Sequence, residues 1–326
     1  MKQVDIDRIW YGGEPAPLWM RVLVPVYRLL RAVVRLSWQS GLRKPMRLSV
    51  PVIVVGNITA GGTGKTPLVL ALIDALRERG WNPGVVSRGY GGSATTPRLL
   101  DDTPDPAIVG DEPSLIRHRS GVPVAIGRNR VQAARLLLDS GIDVIVADDG
   151  LQNPSLARDI EICVIDGQRR FGNGHLLPAG PLREPTSRLR IVDFVVCNGG
   201  EPRNNEIPMG LKGNKVVGLA AGAEPRLLSE YSGSTVHAVA GIGNPQRFFQ
   251  SLRNMGIELI EHAFTDHHAL SAEDLAFGDA LPILMTEKDA IKCMRFADSR
   301  YWKVPVSAEL QASFFDALDG KLRRTS

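Results

Sequence analysis

Cysteine is scarce in this chain of 326 residues, which contains only Cys163, Cys197 and Cys293. They are far apart in the sequence, and no two of them form a C-x-x-C pair. A disulfide framework and a structural zinc site are therefore not expected. The pattern indicates a protein of a reducing compartment.

Aromatic residues and net charge are also limited. Trp and Tyr occur five times each, the formal net charge is +4 and the pI is near 9.0. An extended surface for stacking nucleic-acid bases would need more of both, so we expect no nucleic-acid partner. The length and the 44% hydrophobic content predict one large α/β domain with a smaller one beside it. We expect the chain to act as a monomer.

A long uncharged hydrophobic run is missing near the N-terminus. Residues 17–38 are rich in Leu, Val and Trp, but Arg21, Arg28 and Arg35 recur at every seventh position, and Arg31 joins them. On a helix these arginines fall within about a quarter of the circumference and leave a broad apolar face. The charges argue against a transmembrane span, and the pattern predicts an amphipathic helix.

Two roles for this helix remain open on its residues alone. It could lie in a membrane interface, with its arginines on anionic head groups and with Trp19 and Trp38 near the boundary. It could equally pack on the protein core, with Pro25 as a kink.

What the chain does contain is a glycine-rich turn, Gly61-Gly62-Thr63-Gly64-Lys65-Thr66, between an apolar strand-like stretch and a helix-like segment. This order is typical of a P-loop, in which backbone N–H groups and a helix N-terminus hold phosphate. Lys65 would reach the β- and γ-phosphates, and Thr66 would bind Mg²⁺.

The turn departs from the P-loop pattern at one position, because Thr59 stands where the first glycine is expected. The doublet Gly61-Gly62 can supply the missing backbone freedom. A plain tight connection is the alternative, but the agreement of strand, Gly-Lys-Thr and helix favours a phosphate site. The predicted ATP-binding residues are Thr59, Ala60, Gly61, Gly62, Thr63, Gly64, Lys65 and Thr66.

Strand-like and helix-like segments alternate along most of the chain, which predicts a P-loop NTPase-like fold of class α/β. Its mostly parallel sheet would have helices on both faces. We expect an N-terminal helix over residues 1–40, the P-loop domain over 41–210, a smaller α/β domain over 211–305 and a C-terminal segment, 306–326, that returns to the first domain. The polar residues 199–208 are predicted to be a linker and residues 271–278 a helix.

Carboxylates and a long loop follow two of the predicted strands. Asp148 and Asp149 end a buried strand, as does the carboxylate that orients Mg²⁺ in P-loop enzymes, although paired acids also occur in ordinary turns. The Gly- and Pro-rich loop 171–185 ends with Arg183, which could clamp phosphate, and Glu184, which could assist the metal. A surface Arg-Glu pair is the plain alternative. Histidines at 262, 267 and 268 lack a zinc pattern, so a catalytic or nucleotide-facing role is favoured.

Taken in order, seven motifs resemble the tetraacyldisaccharide 4′-kinase (lipid A 4′-kinase) family of Gram-negative bacteria. The resemblance spans nearly the whole chain, and the order and spacing of the motifs are more specific than any one of them. The motifs are residues 56–66, Ser87-Arg88-Gly89-Tyr90-Gly91-Gly92, Gly110-Asp111-Glu112-Pro113, Asp148-Asp149-Gly150-Leu151-Gln152, residues 177–184, Asp266-His267-His268 and Thr286-Glu287-Lys288-Asp289.

The resemblance implies an ATP- and Mg²⁺-dependent transfer of the γ-phosphoryl group to the 4′-hydroxyl of an acylated glucosamine disaccharide 1-phosphate. The product would be lipid IVA, made at the cytoplasmic face of the inner membrane by a peripheral enzyme. The resemblance also favours the membrane-interface role of the N-terminal helix, because the acylated substrate stays in the bilayer.

The resemblance assigns roles to individual residues. Asp111 would be the base toward the sugar hydroxyl, with His267 or His268 as its partner, and Lys65 and Arg183 would act on the phosphates. Thr66, Asp148, Asp149 and Glu184 are the predicted metal residues, and Tyr90, Arg128 and Asn153 the predicted substrate-binding ones. The family usually has histidine at position 153, and asparagine cannot carry a proton at neutral pH. Position 153 is therefore given no part in proton transfer.

Two other functions are compatible with a P-loop. A membrane-associated ATPase switch would need a second lysine early in the loop, where this chain has Thr59-Ala60. A P-loop kinase for a soluble metabolite would leave the basic amphipathic N-terminus without a purpose.

Overall fold

The computed structural model describes residues 6–220 and 222–325, so the first residues of the predicted segment 1–40 and the last residue of the chain lie outside it. Its α-helices are α1 (Ile6–Trp10), α2 (Leu18–Gln39), α3 (Lys65–Glu78), α4 (Pro106–Val109), α5 (Asp111–Ser120), α6 (Arg130–Leu138), α7 (Pro245–Arg253), α8 (Glu287–Cys293) and α9 (Ala312–Thr325). Short 3₁₀ turns cover Thr186–Arg190 and Leu228–Tyr231.

The strands are β1 (Val52–Gly56), β2 (Pro83–Ser87), β3 (Arg98–Leu99), β4 (Val124–Ile126), β5 (Val144–Asp148), β6 (Ile160–Asp166), β7 (Phe194–Asn198), β8 (Glu206–Lys212), β9 (Lys215–Gly218), β10 (Arg226–Leu227), β11 (Thr235–Ala240), β12 (Glu258–Ala263), β13 (Ile283–Thr286), β14 (Tyr301–Val304) and β15 (Ser307–Glu309).

The first sheet has the order β15-β8-β7-β6-β1-β5-β2-β4-β3 in the described part of the chain. Neighbouring strands are parallel except at the two edges, where β15 pairs with β8 and β3 with β4 in antiparallel fashion. β1, β2 and β5 are buried along their whole length, because α3 and α9 cover one face of the sheet and α6 covers the other. The loops that leave these central strands meet at one edge, where parallel sheets bind ligands.

The second sheet is smaller, with the order β10-β9-β14-β13-β11-β12 in the described residues. Its last four strands are parallel, and α7 and α8 pack on it. We call the first sheet with its helices the first body, and the second sheet with its helices the second body. After β14 the chain returns to the first body, where β15 joins the first sheet and α9 packs against α3. Contacts between α5 and α8 join the two bodies.

The amphipathic segment forms α2, whose apolar residues are divided between two faces. Met20 is buried, and Val24 and Tyr27 are partly buried against the first body. The opposite face is exposed and consists of Leu18, Trp19, Val22, Leu23, Val26, Leu29, Leu30, Val33 and Leu36. Among the described residues, no helix combines the length and the apolarity that crossing a membrane requires.

The linker predicted over residues 199–208 is wrong in its second half. Residues 206–208 belong to β8, which pairs with β7 through Val195↔Glu206 and Cys197↔Pro208. Pro208 fits in this strand because β15 contacts only residues 210–212 on the other side, so no partner needs the missing N–H.

The helix predicted over residues 271–278 is also wrong, because these residues form turns. Asp274 Oδ2 accepts a hydrogen bond from Ser271 N, and Asp274 N donates to Ser271 Oγ. Reciprocal bonds of this kind form a capping box at a helix start. Here only residues 272–275 turn, and Gly278 follows at φ +83°, outside the helical conformation. His268 Nε2 lies 3.2 Å from the same carboxylate oxygen, Asp274 Oδ2.

Candidate active site

The phosphate-binding turn lies between the end of β1 and the start of α3. Gly64 precedes the helix with φ +89°, and a Cβ added there would lie 2.1 Å from Asn198 Nδ2. That amide donates to Thr63 O at 2.9 Å. Glycine is therefore required at 64 both by the backbone conformation and by the close side chain from β7.

Asn57 holds the turn from within. Its Nδ2 donates to Thr59 O at 2.8 Å, and its Oδ1 accepts from Lys65 Nζ at 3.3 Å. The start of the turn is also held from outside, because Ala60 N donates to Pro181 O at 2.7 Å. The long loop 171–185 is thus a direct neighbour of the phosphate turn.

Asp149 is the meeting point of two cations. Its carboxylate lies 3.2 Å from Arg183 and 3.4 Å from Lys65 Nζ, and its backbone adopts φ +48°. Burial alone would raise the pKa of Asp149, but Lys65 and Arg183 hold it below its usual value. The carboxylate is therefore ionised near neutral pH.

Asp148 is more buried than its neighbour. Ser87 Oγ donates to Asp148 Oδ2 at 3.2 Å, whereas Oδ1 is buried without a hydrogen-bond partner. Burial, together with the nearby negative charge of Glu112, raises the pKa of Asp148 to about 7. A buried carboxylate oxygen without a partner suits a cation.

A divalent cation is compatible with these residues. Thr66 is half-buried in the first turn of α3, directly after Lys65. No cluster of three or more His, Cys, Asp or Glu side chains poised for a metal occurs within residues 6–220 and 222–325. Mg²⁺ usually takes one or two carboxylates and completes its shell with water and substrate phosphate, and Asp148 and Asp149 supply two carboxylates at the end of β5.

Glu184 is buried and both of its oxygens are engaged. Oε2 accepts from Arg31 at 2.9 Å, and Oε1 accepts from Gln152 Nε2 at 2.7 Å. Arg188 Nε lies 3.6 Å from Oε2. The structure thus places Glu184 beside the phosphate turn, but its contacts are to protein groups, and its part in metal binding stays a prediction.

Asp111 lies at the N-terminus of α5, where it meets two side chains from the second body. His267 Nδ1 is 3.2 Å from Asp111 Oδ2, and Lys292 Nζ of α8 is 3.4 Å from the same oxygen. Lys292 is buried and is also held by Asp289 at 3.1 Å. Asp289 in turn accepts from Gly241 N and Thr286 Oγ1, so the lysine is held by a fixed carboxylate.

Other charged groups surround the Asp111–His267 pair. Lys288 Nζ lies 2.9 Å from Asp266 Oδ1, 3.4 Å from Glu112 Oε1 and 3.4 Å from His267 Nε2. Although burial opposes it, the carboxylates of Glu112 and Asp266 raise the pKa of Lys288, which stays charged. The Tyr90 ring contacts the His267 ring edge to face at 4.9 Å and is otherwise exposed.

The Asp111–His267 pair and the Asp148–Asp149 pair lie at the same edge of the first sheet. β2 and β5 are neighbours, and they end in Ser87 and Asp148. The loop after β2 packs tightly on the start of α5, since a Cβ on Gly110 would lie 2.5 Å from Tyr90 O. Asp111 is therefore placed beside the Asp148–Asp149 end of the sheet.

Three predicted residues are not part of this cluster. His268 faces Asp274 and stacks on Phe264 rather than meeting Asp111. Asn153 Oδ1 accepts from Ser155 N and Oγ, which closes a local turn. Arg128 is exposed directly after β4, on the same edge of the sheet. Their predicted roles remain untested by these contacts.

The second body also reaches the phosphate turn. A Cβ on Gly243 would lie 2.4 Å from Gly62 N, so the two glycine loops are in backbone contact. Arg169 donates to Gly243 O at 2.8 Å and stacks on the Tyr11 ring at 4.9 Å. Tyr11 and Arg169 border both the mouth of the turn and an adjoining cavity of about 360 Å³, whose other lining residues are Trp10, Gly13, Gln168, Gly172 and Asn173.

Comparison with known proteins accounts for this arrangement. The profile of the tetraacyldisaccharide-1-P 4′-kinase family, LpxK, matches residues 16–323. The chain belongs to this family. A tetraacyldisaccharide 4′-kinase of Stenotrophomonas maltophilia is 52% identical, with 96% of this chain and 95% of the relative covered, and one of Xylella fastidiosa is 48% identical, with 98% and 96% covered.

A solved relative shows the same fold. The crystal structure of LpxK from Aquifex aeolicus in complex with ATP has a TM-score of 0.76 and 26% identity, covering 93% of this chain and 98% of that one. The predicted family, the α/β P-loop fold class and the assignment as a kinase are confirmed. An ATPase switch and a kinase for a soluble metabolite are not favoured.

Several contact residues of this 4′-kinase family member were not predicted as site residues. Lys292 gave no signal, because a lysine on a short helix usually faces solvent. Asn57, Gln152 and Lys288 stand inside the quoted motifs, so the motifs could have identified them. Asn57 could also have been found by asking which side chain closes the turn that follows β1.

Proposed function

We propose that this 4′-kinase family member transfers the γ-phosphoryl group of ATP to the 4′-hydroxyl of an acylated glucosamine disaccharide 1-phosphate, giving lipid IVA. The observation that carries the proposal is the contact of Asp111 with His267 and Lys292 at the sheet edge that also holds the phosphate turn. A carboxylate fixed beside a triphosphate site is what a sugar hydroxyl needs in order to attack phosphorus.

In this reaction the 4′-oxygen attacks the γ-phosphorus, the bond from that phosphorus to the β,γ-bridging oxygen breaks, and ADP leaves. The hydroxyl proton passes to Asp111. With a proton on Nδ1, His267 donates to Asp111 and fixes the orientation of the carboxylate. Because Asp111 and His267 belong to different bodies, closure between the bodies assembles the pair and excludes water.

The triphosphate would occupy residues 59–66, with Lys65 and Arg183 on its oxygens. Arg183 and Lys65 share Asp149, so both cations are already oriented toward one point. The cavity beside the mouth of the turn shares Tyr11 and Arg169 with it and lies past the end of β6, on the side of β1 away from Asp148. We place the nucleoside there.

Mg²⁺ would be held by Asp148, with Thr66, Asp149 and Glu184 as the further candidates. The partnerless oxygen of Asp148 supports this assignment. When bound, the ion neutralises charge on the phosphate oxygens. Ser87 orients Asp148 through its hydrogen bond.

The lipid substrate would be met at a membrane surface. α2 exposes a continuous apolar face, and Arg21, Arg28 and Arg35 are exposed along its border. Such a helix lies in the interface of a bilayer, in contact with anionic head groups. We place the monomeric enzyme peripherally at the cytoplasmic face of the inner membrane, with Tyr90 and Arg128 toward the disaccharide.

The test is direct. The protein is incubated with γ-labelled ATP, Mg²⁺ and detergent-dispersed disaccharide 1-phosphate, and the products are separated by thin-layer chromatography. We expect label in the lipid band only when the acceptor is present. Release of labelled phosphate at the same rate without acceptor would indicate an ATPase instead, and would refute the proposal.

We expect Leu29→Glu combined with Val33→Glu to lower the fraction bound to anionic vesicles about tenfold or more, because both side chains lie in the centre of the exposed face of α2. Sedimentation with vesicles measures the bound fraction. Ile191→Glu is the matched control, since Ile191 is 65% exposed and Leu29 64% exposed, but Ile191 is remote in sequence from α2. Equal binding of the double variant and wild type would exclude the interface role.

We expect Lys292→Met to lower kcat/KM about tenfold or more. Lys292 Nζ lies 3.4 Å from Asp111 Oδ2, so its loss removes a contact from the second body that fixes the proposed base. The groups that remain around Asp111 are His267, Lys288 and Glu112. Lys292→Arg, which keeps the charge, should retain most of the wild-type kcat/KM, and a wild-type kcat/KM in Lys292→Met would count against this role.

A further inference from the structure

The four arginines of α2 are not equivalent in the folded chain. Arg21, Arg28 and Arg35 are exposed, whereas Arg31 is turned toward the first body. Its guanidinium bonds Glu184 Oε2 at 2.9 Å, and the carboxylate is buried. Arg31 is therefore directed away from any membrane surface that the other three contact.

The ion pair continues toward the phosphate turn. Gln152 Nε2 donates both to Glu184 Oε1 at 2.7 Å and to Asn57 O at 2.9 Å. Asn57 closes the turn and accepts from Lys65. Arg31 thus lies at the outer end of a continuous hydrogen-bonded path to the phosphate lysine.

A second contact from α2 reaches the neighbouring residue. Tyr27 Oη donates to Arg183 O at 2.9 Å. On the other side of the same residue, Arg183 N donates to Ile58 O at 2.7 Å and the guanidinium binds Asp149. The backbone of Arg183 is therefore held between α2 and the end of β1.

We propose that Arg31 and Tyr27 are positioning residues of the phosphate site, so that α2 both contacts the membrane and sets the place of Arg183 and Glu184. The inference rests on the proposed function and adds to it that the membrane helix forms part of the wall of the site. Without Arg31, Glu184 keeps a buried charge with one oxygen less well satisfied, and the segment 183–184 shifts. A displacement of about 1 Å at such a segment lowers turnover by up to about 100-fold.

The experiment compares Arg31→Met with Arg47→Met in the full-length protein. Arg47 makes a matched ion pair, at 2.9 Å to the buried Asp159, but Asp159 bonds the start of β1, at the opposite end of the strand from the phosphate turn. We expect Arg31→Met to lower kcat about 10- to 100-fold on detergent-dispersed substrate, with KM for the lipid and vesicle binding near wild type. Arg47→Met should keep the wild-type kcat.

Two further variants keep the outcome clear should Arg31→Met fold poorly. Arg31→Lys retains a charge at this place and should recover most of kcat, and Tyr27→Phe removes one hydroxyl and should lower kcat several-fold. Arg28→Met supplies the reference for lost surface contact, since it should weaken vesicle binding about fivefold. A wild-type kcat in both Arg31→Met and Tyr27→Phe, or losses that follow vesicle binding alone, would overturn the inference. Failure of the proposed function would appear instead as wild-type protein that labels no lipid.

Discussion

Asp111→Asn is expected to lower kcat by about 10²- to 10⁴-fold while ATP still binds with nearly unchanged affinity. The amide has the shape of the carboxylate but accepts no proton, so the sugar hydroxyl must attack without its base. The proposed nucleotide site, residues 59–66, lies on the other side of Asp148 and is untouched by the change. Initial rates of labelled lipid formation measure kcat, and equilibrium dialysis with labelled ATP measures binding.

Glu112→Gln is the matched control for this experiment. Glu112 is the next residue on α5, and its carboxylate contacts Lys288 rather than His267 or Lys292. Its loss should change kcat less than tenfold. The base assignment would be refuted by Asp111→Asn turning over within tenfold of wild type, or by the two variants losing kcat equally.

A substitution of His267 should lower kcat less than one of Asp111, because the role proposed for His267 is to orient the base and not to accept the proton from the substrate. His268 offers a comparison within the same loop, since it binds Asp274 and stacks on Phe264. The sequence places the two histidines side by side and cannot separate them. The distinction comes from the backbone, which takes φ +64° at His267 and directs the two rings to different partners.

The central part of the fold was predictable because its signals are local. Residues 50–79 contain an apolar run, the turn Gly61-Gly62-Thr63-Gly64-Lys65-Thr66 and a helix, and each needs only its neighbours to be interpreted. The same holds for Asp148 and Asp149, which end a buried strand. The carboxyl ends of such strands lie together in a parallel sheet, so the site edge followed from the alternation of strands and helices.

Contacts between distant segments were not predictable in this way. Lys292 reaches Asp111 only because α8 of the second body packs against α5 of the first. Glu184 was assigned to the metal from its place in a loop, whereas its actual partners come from α2 and from Gln152. Each of these pairs depends on how two elements pack, which no pattern within either element records.

The wrong predictions have similar causes on a smaller scale. The segment 271–278 starts with the reciprocal Ser271–Asp274 bonds of a capping box, but its helical turn ends after residue 275, before Gly278 at φ +83°. Residues 206–208 are Glu206, Ile207 and Pro208, and the linker predicted from the polar residues before them was extended over the start of β8. The early end of the helical turn and the pairing of Pro208 with Cys197 of β7 were both missed.

Lys65→Met is expected to reduce lipid phosphorylation by about 10³-fold or more and to weaken ATP binding. Lys65 Nζ lies between Asn57 Oδ1 at 3.3 Å and Asp149 Oδ1 at 3.4 Å, in front of the turn that would hold the phosphates. Removing one preorganised positive charge from a site of phosphoryl transfer commonly costs two to three orders of magnitude in rate, that is about 3–4 kcal/mol. Loss of ground-state binding to the triphosphate adds to this.

The fold should survive the substitution, because Arg183 still neutralises Asp149 and the methionine side chain is of similar length. Thermal unfolding within a few degrees of wild type would establish this, and Lys215→Met, an exposed lysine on β9 of the second sheet, controls for the loss of one surface charge. If Lys65→Met still phosphorylated the disaccharide within tenfold of wild type, the turn after β1 would not be the phosphate site. The roles given to Asp149, Arg183 and Arg31 would then be refuted as well, because each was assigned from its position relative to that turn.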